Sequence, residues 1–318
     1  NFIFGVNGMI FPTAIIACSV ILNFCNYFLT YLKKNELNFH FYFIFSSIIY
    51  IFFKMNRFSE YGNDAPSHFI FFFLVSEIIK SLNQENSIKT SNFLLLAIFI
   101  VLNKITLIFS ILLPFVFINK KNFNKILKLK RTYFSIFFLI LWLLKNLLVS
   151  GCLIYPINKT CLNNLEWTDL DKVEYVSNEN EAWAKNWPGY RKNNPDNISQ
   201  KDYIKNFIWL ESWIKNYSIN IVKILLPYAA FLILFYALLN TKGSKKINQI
   251  KKRRGNFLLI VLFVSSIFWF LKVPVYRYGY YYLVCLLAIF FSYHCSYFKI
   301  RRRFYKLFYI SFISLALV

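Results

Sequence analysis

Apolar runs long enough to cross a bilayer recur along this chain, and short, strongly basic segments separate them. Residues 133–150 and 217–240 each match the roughly 20 residues that a spanning helix needs. Residues 242–254 carry seven Lys/Arg and no acid, 299–306 carry five and 120–131 carry six. Cytoplasmic loops of membrane proteins collect Lys and Arg, so all three segments are placed in the cytoplasm. The net charge of +23 is therefore not read as a nucleic-acid surface, because its cations sit in short loops between apolar spans. The expected fold is an all-α membrane protein: a polytopic helical bundle of about nine to ten spans with one larger extracytoplasmic loop.

The basic loops set a topology. Spans are expected at 9–32, with Lys33-Lys34 inside, and at 39–54; 133–150 runs outward and 217–240 returns. Residues 256–272 run out, 280–297 run in, and 307–318 begin another outward pass. Residues 68–118 fit two arrangements. In one, 68–82 crosses and 92–118 is a hairpin with Asn103-Lys104 at its outer tip. In the other, 68–82 lies on the surface and 92–118 crosses once. The first is preferred, because 92–118 is long for one span. Pro114 then sits in a short helix, which membrane helices tolerate. The expected parts are 1–150, membrane helices with a first outer loop over 54–68; 151–216, an extracytoplasmic cap; and 217–318, further membrane helices. The chain starts without Met and stops in an apolar run, so truncation at both ends is expected. No cleavable signal peptide is read.

The cap segment is too short for a robust core of its own, so it is expected to pack on the membrane helices. It carries Trp167, Trp183, Trp187, Tyr190 and Trp213. Such aromatics can stack on sugar rings, but anchoring the cap at the membrane surface is the favoured role. Cys152 and Cys161 either form a small disulfide loop or remain free thiols. Cys18, Cys25, Cys285 and Cys295 read as packing residues, and no Cys/His spacing suggests zinc.

Outside residues 152–215 the chain carries only five acids: Glu36, Glu60, Asp64, Glu77 and Glu85. Asp64 lies in a polar stretch between two apolar segments, on the outer side of the expected topology. Ala65-Pro66 suits a first helical turn, which would make Asp64 an ordinary N-cap. His68 would lie one turn on, on the same side. Alternatively, Asp64 is a general base or a ligand of a divalent cation, with Glu60 and His68 in support. Polar groups at this depth are costly without a role, which favours a functional reading. Lys54, Arg57, Lys104, Lys145, Lys223, Lys272 and Arg277 all lie at outer ends of spans. Singly they read as snorkelling side chains; together they can form an electropositive pocket for a phosphate. Arg277 stands out in Pro274-Val275-Tyr276-Arg277-Tyr278-Gly279-Tyr280, where a planar fork can grip phosphate and tyrosines can offer hydroxyls or a stacking face.

Three of these motifs resemble the GT-C superfamily of integral-membrane glycosyltransferases, and more narrowly its uncharacterised bacterial multi-pass members. They are Tyr61-Gly62-Asn63-Asp64-Ala65-Pro66-Ser67-His68 in the first outer loop, Ser150-Gly151-Cys152-Leu153-Ile154-Tyr155-Pro156 opening a larger one, and Pro274-Val275-Tyr276-Arg277-Tyr278. The resemblance implies a polyprenyl-phosphate-linked sugar donor, a glycan or lipid-linked acceptor, and inverting transfer outside the bacterial cytoplasmic membrane. It makes Asp64 the base or a metal ligand, with Glu60 and His68 as catalytic support and Arg277, Tyr278, Lys104 and Arg57 as substrate-binding residues. The first outer loop carries no Asp-x-Asp or Glu-x-Asp pair, only Glu60 and Asp64, so a divalent cation stays open as a cofactor. Membrane lipids are expected partners and nucleic acid is not. A polysaccharide polymerase or ligase is disfavoured, because residues 152–215 hold one Arg, Arg191, and no His. A lipid-linked-sugar transporter or flippase would be expected to carry charges in mid-membrane and paired interrupted helices.

Overall fold

The computed structural model describes residues 11–53, 64–84, 86–120, 122–194, 198–238, 249–296, 308 and 310. Among them the chain is all-α; the only strand-like pairing is an isolated bridge between Cys152 and Cys161, which form a disulfide. The first helices are α1 (Phe11–Lys34), α2 (Phe39–Phe53), α3 (Asp64–Lys80) and α4 (Ser87–Asn103). A 3-10 helix (Ile105–Phe117), the short α5 (Phe123–Leu127) and α6 (Lys130–Ser150) follow. The cap holds α7 (Leu170–Ala184), α8 (Trp187–Asn193) and α9 (Gln200–Lys205). Then α10 (Trp209–Trp213) passes through a π turn into α11 (Ile219–Leu238), followed by α12 (Gln249–Lys272) and α13 (Tyr276–Ser296).

Among the described residues four helices are long and apolar enough to cross a membrane: Phe11–Lys34, Lys130–Ser150, Trp209–Leu238 and Lys252–Lys272. The helix expected over 217–240 thus begins at Trp209 and runs on from the cap without a break. A helix that is apolar all round belongs inside a bundle, and α2 shows this, with every residue from Phe39 to Ile51 buried. On α6 the pattern is reversed. Only its polar Thr132 and Ser135 are buried, while Phe134, Phe137, Ile140, Leu144 and Leu148 are exposed. An exposed apolar face of that length marks contact with something other than water.

Residues 92–118 fold back on themselves at Asn103-Lys104, the hairpin arrangement of the two. The Ser110 hydroxyl donates to the Ala97 carbonyl at 3.2 Å, and the Phe93 and Phe117 rings meet at 5.7 Å. The limbs differ in residue number, 17 in α4 against 13 in the 3-10 helix. An α-helix rises about 1.5 Å per residue and a 3-10 helix about 2.0 Å, but the return limb is kinked at Leu107, so its continuous part over 108–117 reaches roughly 20 Å against roughly 26 Å for α4. The 3-10 rise recovers part of the length that the return limb, which contains Pro114, lacks in residues.

Contacts group the helix ends. At one end α3 begins, the hairpin turns and α13 begins; the cap sits there too, through Trp167 Nε1 on the Leu147 carbonyl of α6 (3.2 Å) and Lys272 Nζ on Glu181 (3.2 Å). At the other, Tyr31 of α1 bonds His40 of α2 (2.8 Å) and His40 bonds Ser76 of α3 (2.9 Å). Arg254 of α12 also donates there, to the Leu82 carbonyl just past α3 (2.7 Å). The basic stretches over 122–131 and 252–254 belong to this second end.

Candidate functional site

Asp64 is the first described residue of α3. Among the described residues its carboxylate meets side chains, not its own helix backbone, which sets aside the plain N-cap reading. Lys104, in the hairpin turn, forms an ion pair with Oδ1. Arg277, in the first turn of α13, brings Nε to 3.9 Å from Oδ2. Tyr278 lies beneath both cations: Lys104 Nζ is 3.7 Å above its ring centre and the Arg277 guanidinium 5.0 Å away. Arg277 Nη2 also donates to the Tyr278 hydroxyl at 3.1 Å. The tyrosine is thus a platform for two cations, and the ring face offered to a sugar in the sequence reading is taken by Lys104. Two cations beside one carboxylate leave excess positive charge, suited to an anion.

His68 lies one turn beyond Asp64, buried, and stacks on Tyr281 of α13 with ring centres 3.3 Å apart. It sits inside the α3–α13 seam, where Phe72 also meets Tyr281 (5.6 Å) and Phe71 meets Tyr282 (5.4 Å). Its observed contact fits a seam-packing residue that sets the register of the two helices. Glu60, Arg57 and Lys54 lie outside the described residues. Lys145 and Lys223 are exposed on α6 and α11, and Lys272 pairs with Glu181, so these three do not join the Asp64 cluster.

The turn that presents Arg277 is held by two indoles. Trp213 Nε1 donates to the Pro274 carbonyl at 2.7 Å and Trp269 Nε1 to the Val275 carbonyl at 2.9 Å. Gly279 makes room for Trp269, since a Cβ there would fall 1.9 Å from Cδ2 of its ring. The Tyr282 hydroxyl donates to the Thr106 carbonyl at 3.0 Å and ties α13 to the turn that carries Lys104. Sequence reasoning passed over Trp269, Gly279 and Tyr282; the Pro274 turn was the available signal, because its carbonyls need donors from elsewhere.

The cap has a small aromatic core of Tyr203, Trp209 and Trp213, with Trp187 and Tyr190 against it. Trp187 and Tyr190 therefore serve the cap's packing, while Trp183 remains exposed. Trp209, fully buried at the centre, was also missed. Lys185 is buried with its ammonium 4.7 Å over the Trp209 ring and 2.6 Å from Glu181. Burial pushes the Lys185 pKa down, against the opposing pull of Glu181. Glu181 thus bridges Lys185 inside the cap and Lys272 at the end of α12.

Among the described residues no three His, Cys, Asp or Glu side chains are placed to share a metal ion. Asp64 faces two cations, so the described donors do not fit a divalent ion, which takes about six or more oxygens.

The model of one family, Domain of unknown function (DUF8201), matches residues 3–284. The chain belongs to this family. The matched span includes Asp64, Lys104, Arg277 and Tyr278. No curated protein and no solved structure matches the chain.

Proposed function

We propose that this DUF8201 protein is a membrane glycosyltransferase of the GT-C type. It moves a sugar from a polyprenyl-phosphate-linked donor to an acceptor hydroxyl, with inversion, on the extracytoplasmic face of the bacterial cytoplasmic membrane. The observation that carries this reading is the meeting of Asp64, Lys104 and Arg277 from distant parts of the chain at the capped end of an apolar bundle. Basic segments at the opposite end and a disulfide in the cap fit that orientation.

The chemistry follows from the charges. Asp64 accepts the proton of the attacking hydroxyl, whose oxygen bonds to the anomeric carbon as the carbon–oxygen bond to phosphate breaks. The phosphate leaves with that electron pair, and Lys104 and Arg277 stabilise the charge it gains. In the ligand-free site Lys104 occupies Asp64. An arriving phosphate competes for both cations and releases the carboxylate at the moment it is needed. Bringing a lipid donor and a membrane-bound acceptor to one end of the bundle raises their effective concentration.

The Asp64–Lys104 pair also supports a second, non-catalytic reading, as a latch between α3 and the hairpin. Sugar transfer by membranes containing the full-length protein, given a panel of polyprenyl-phosphate sugars, separates the two. Transfer by wild type but not by Asp64→Asn, at equal protein levels, is the expected result. Equal transfer by both would remove Asp64 from the chemistry and leave the latch.

A further inference from the structure

Two contiguous grooves open at the end of the molecule opposite Asp64. One, of about 430 Å³, lies between the close of the 3-10 helix and the start of α12, with Phe115, Asn119, Arg253 and Phe257 in its walls. The other, of about 460 Å³, runs along α12 past Lys252, Arg253, Phe257 and Ile260. Arg253 and Phe257 belong to both. Arg254 is committed to the fold: it donates to the Leu82 carbonyl at 2.7 Å and lies 5.4 Å from the Phe117 ring centre. Its neighbours are not so committed. Among the described residues neither Lys252 nor Arg253 has an acidic partner, and both are exposed.

The composition of the grooves is amphipathic in an ordered way. Cations and an asparagine amide lie at the outer end, and Phe257 and Ile260 continue the groove along the apolar part of α12. A free inorganic anion would use only the polar end. A phosphodiester carrying acyl chains would use both. Position selects the same ligand. From Arg253 to Lys272 α12 rises about 28 Å, close to the roughly 30 Å thickness of a bilayer's hydrocarbon, so the groove and the Asp64 cluster face opposite leaflets. A lipid headgroup in the groove is therefore not the proposed sugar donor.

We infer that this groove is a binding site for an anionic phospholipid, with the phosphate held by Lys252 and Arg253 and an acyl chain lying against Phe257 and Ile260. The inference rests on the membrane reading above and not on the glycosyltransferase activity. Basic pockets at helix ends on the cytoplasmic side recognise lipid headgroups by the same charge logic.

Native mass spectrometry of the full chain, released from neutral detergent after incubation with dioleoylphosphatidylglycerol or dioleoylphosphatidylcholine, reads the site directly. Wild type is expected to retain the anionic lipid selectively. Arg253→Gln and Lys252→Gln are each expected to weaken retention about fivefold, and Arg253→Lys to keep most of it. Lys128→Gln removes a charge at the same end without lining the grooves and is expected to change nothing. Excess inorganic phosphate is expected not to displace the lipid. Equal retention of both lipids, full retention by Arg253→Gln, an equal loss with Lys128→Gln, or displacement by phosphate would each overturn the site. Flotation of the chain with vesicles separates the premises. No flotation would sink the membrane reading and the site together, while flotation without anionic selectivity would sink the site alone.

Discussion

Removing the ion pair at the capped end tests whether it is formed and how much it contributes. The variants are Asp64→Asn, Lys104→Met and their double, with Arg277→Met as the second arm. Two unit charges about 4 Å apart attract by about 4 kcal/mol at an effective dielectric near 20, and desolvation and side-chain ordering consume much of that. Exposed pairs contribute about 0–1 kcal/mol, whereas breaking a buried pair costs about 3–5 kcal/mol. The Lys104 and Asp64 side chains are 16% and 31% exposed. That places their coupling between the limits, at about 1.5–2.5 kcal/mol. Arg277 stands 3.9 Å away and is 46% exposed. Solvent screening brings its coupling below about 0.5 kcal/mol. Both couplings follow from double-mutant cycles on reversible unfolding in mixed micelles, where contacting residues deviate from additivity. Equal couplings, the reverse order, or an Asp64–Lys104 coupling near zero would refute the arrangement.

Gly279→Ala places a Cβ against the Trp269 ring and is expected to cost about 1–3 kcal/mol or more; Trp269→Leu in the same chain should recover part of it, and strict additivity would deny the contact. Trp213→Phe leaves the Pro274 carbonyl without its donor, at about 1–2 kcal/mol; hydrogen exchange over residues 273–278 should quicken, and unchanged exchange would show the bond is not holding the turn. Burial raises the Tyr203 phenol from its ordinary 10 to about 12. The folded cap then keeps a proton that the unfolded chain has lost, so this contribution is complete below pH 10 and disappears as pH climbs toward 12. Subtracting the 295 nm titration of Tyr203→Phe from that of wild type should leave a single-tyrosine step near pH 12, and a step near 10 would mean an open cap.

The helical class was legible because period and length in apolar runs are strong signals, and basic segments marked one end of the bundle. Asp64, Lys104 and Arg277 were legible as separate oddities, charges at the ends of apolar runs. Topology and the family resemblance put all three in one outer site, but that both cations pair with Asp64 itself was not legible, since no local pattern encodes contact between positions 64 and 277. Tyr278 was read as a ligand platform and is a platform for protein cations, a distinction that only the position of Lys104 makes. The 3-10 winding of the return limb was invisible because length rules assume an α-helical rise. Trp209 was hidden because it adjoins the apolar run that carries α11, and the sequence marks no boundary between cap and span.

The chain order of the ion cluster also sets a schedule for making it. At about 5–20 residues per second, Lys104 leaves the ribosome about 2–8 s after Asp64, but Arg277 follows only after about 10–40 s. Between those two times a nascent chain can place its carboxylate beside one cation only, and the excess positive charge arrives with α13. Until then an anion has little reason to enter, and a growing chain is spared from capturing lipid phosphate in a half-built site.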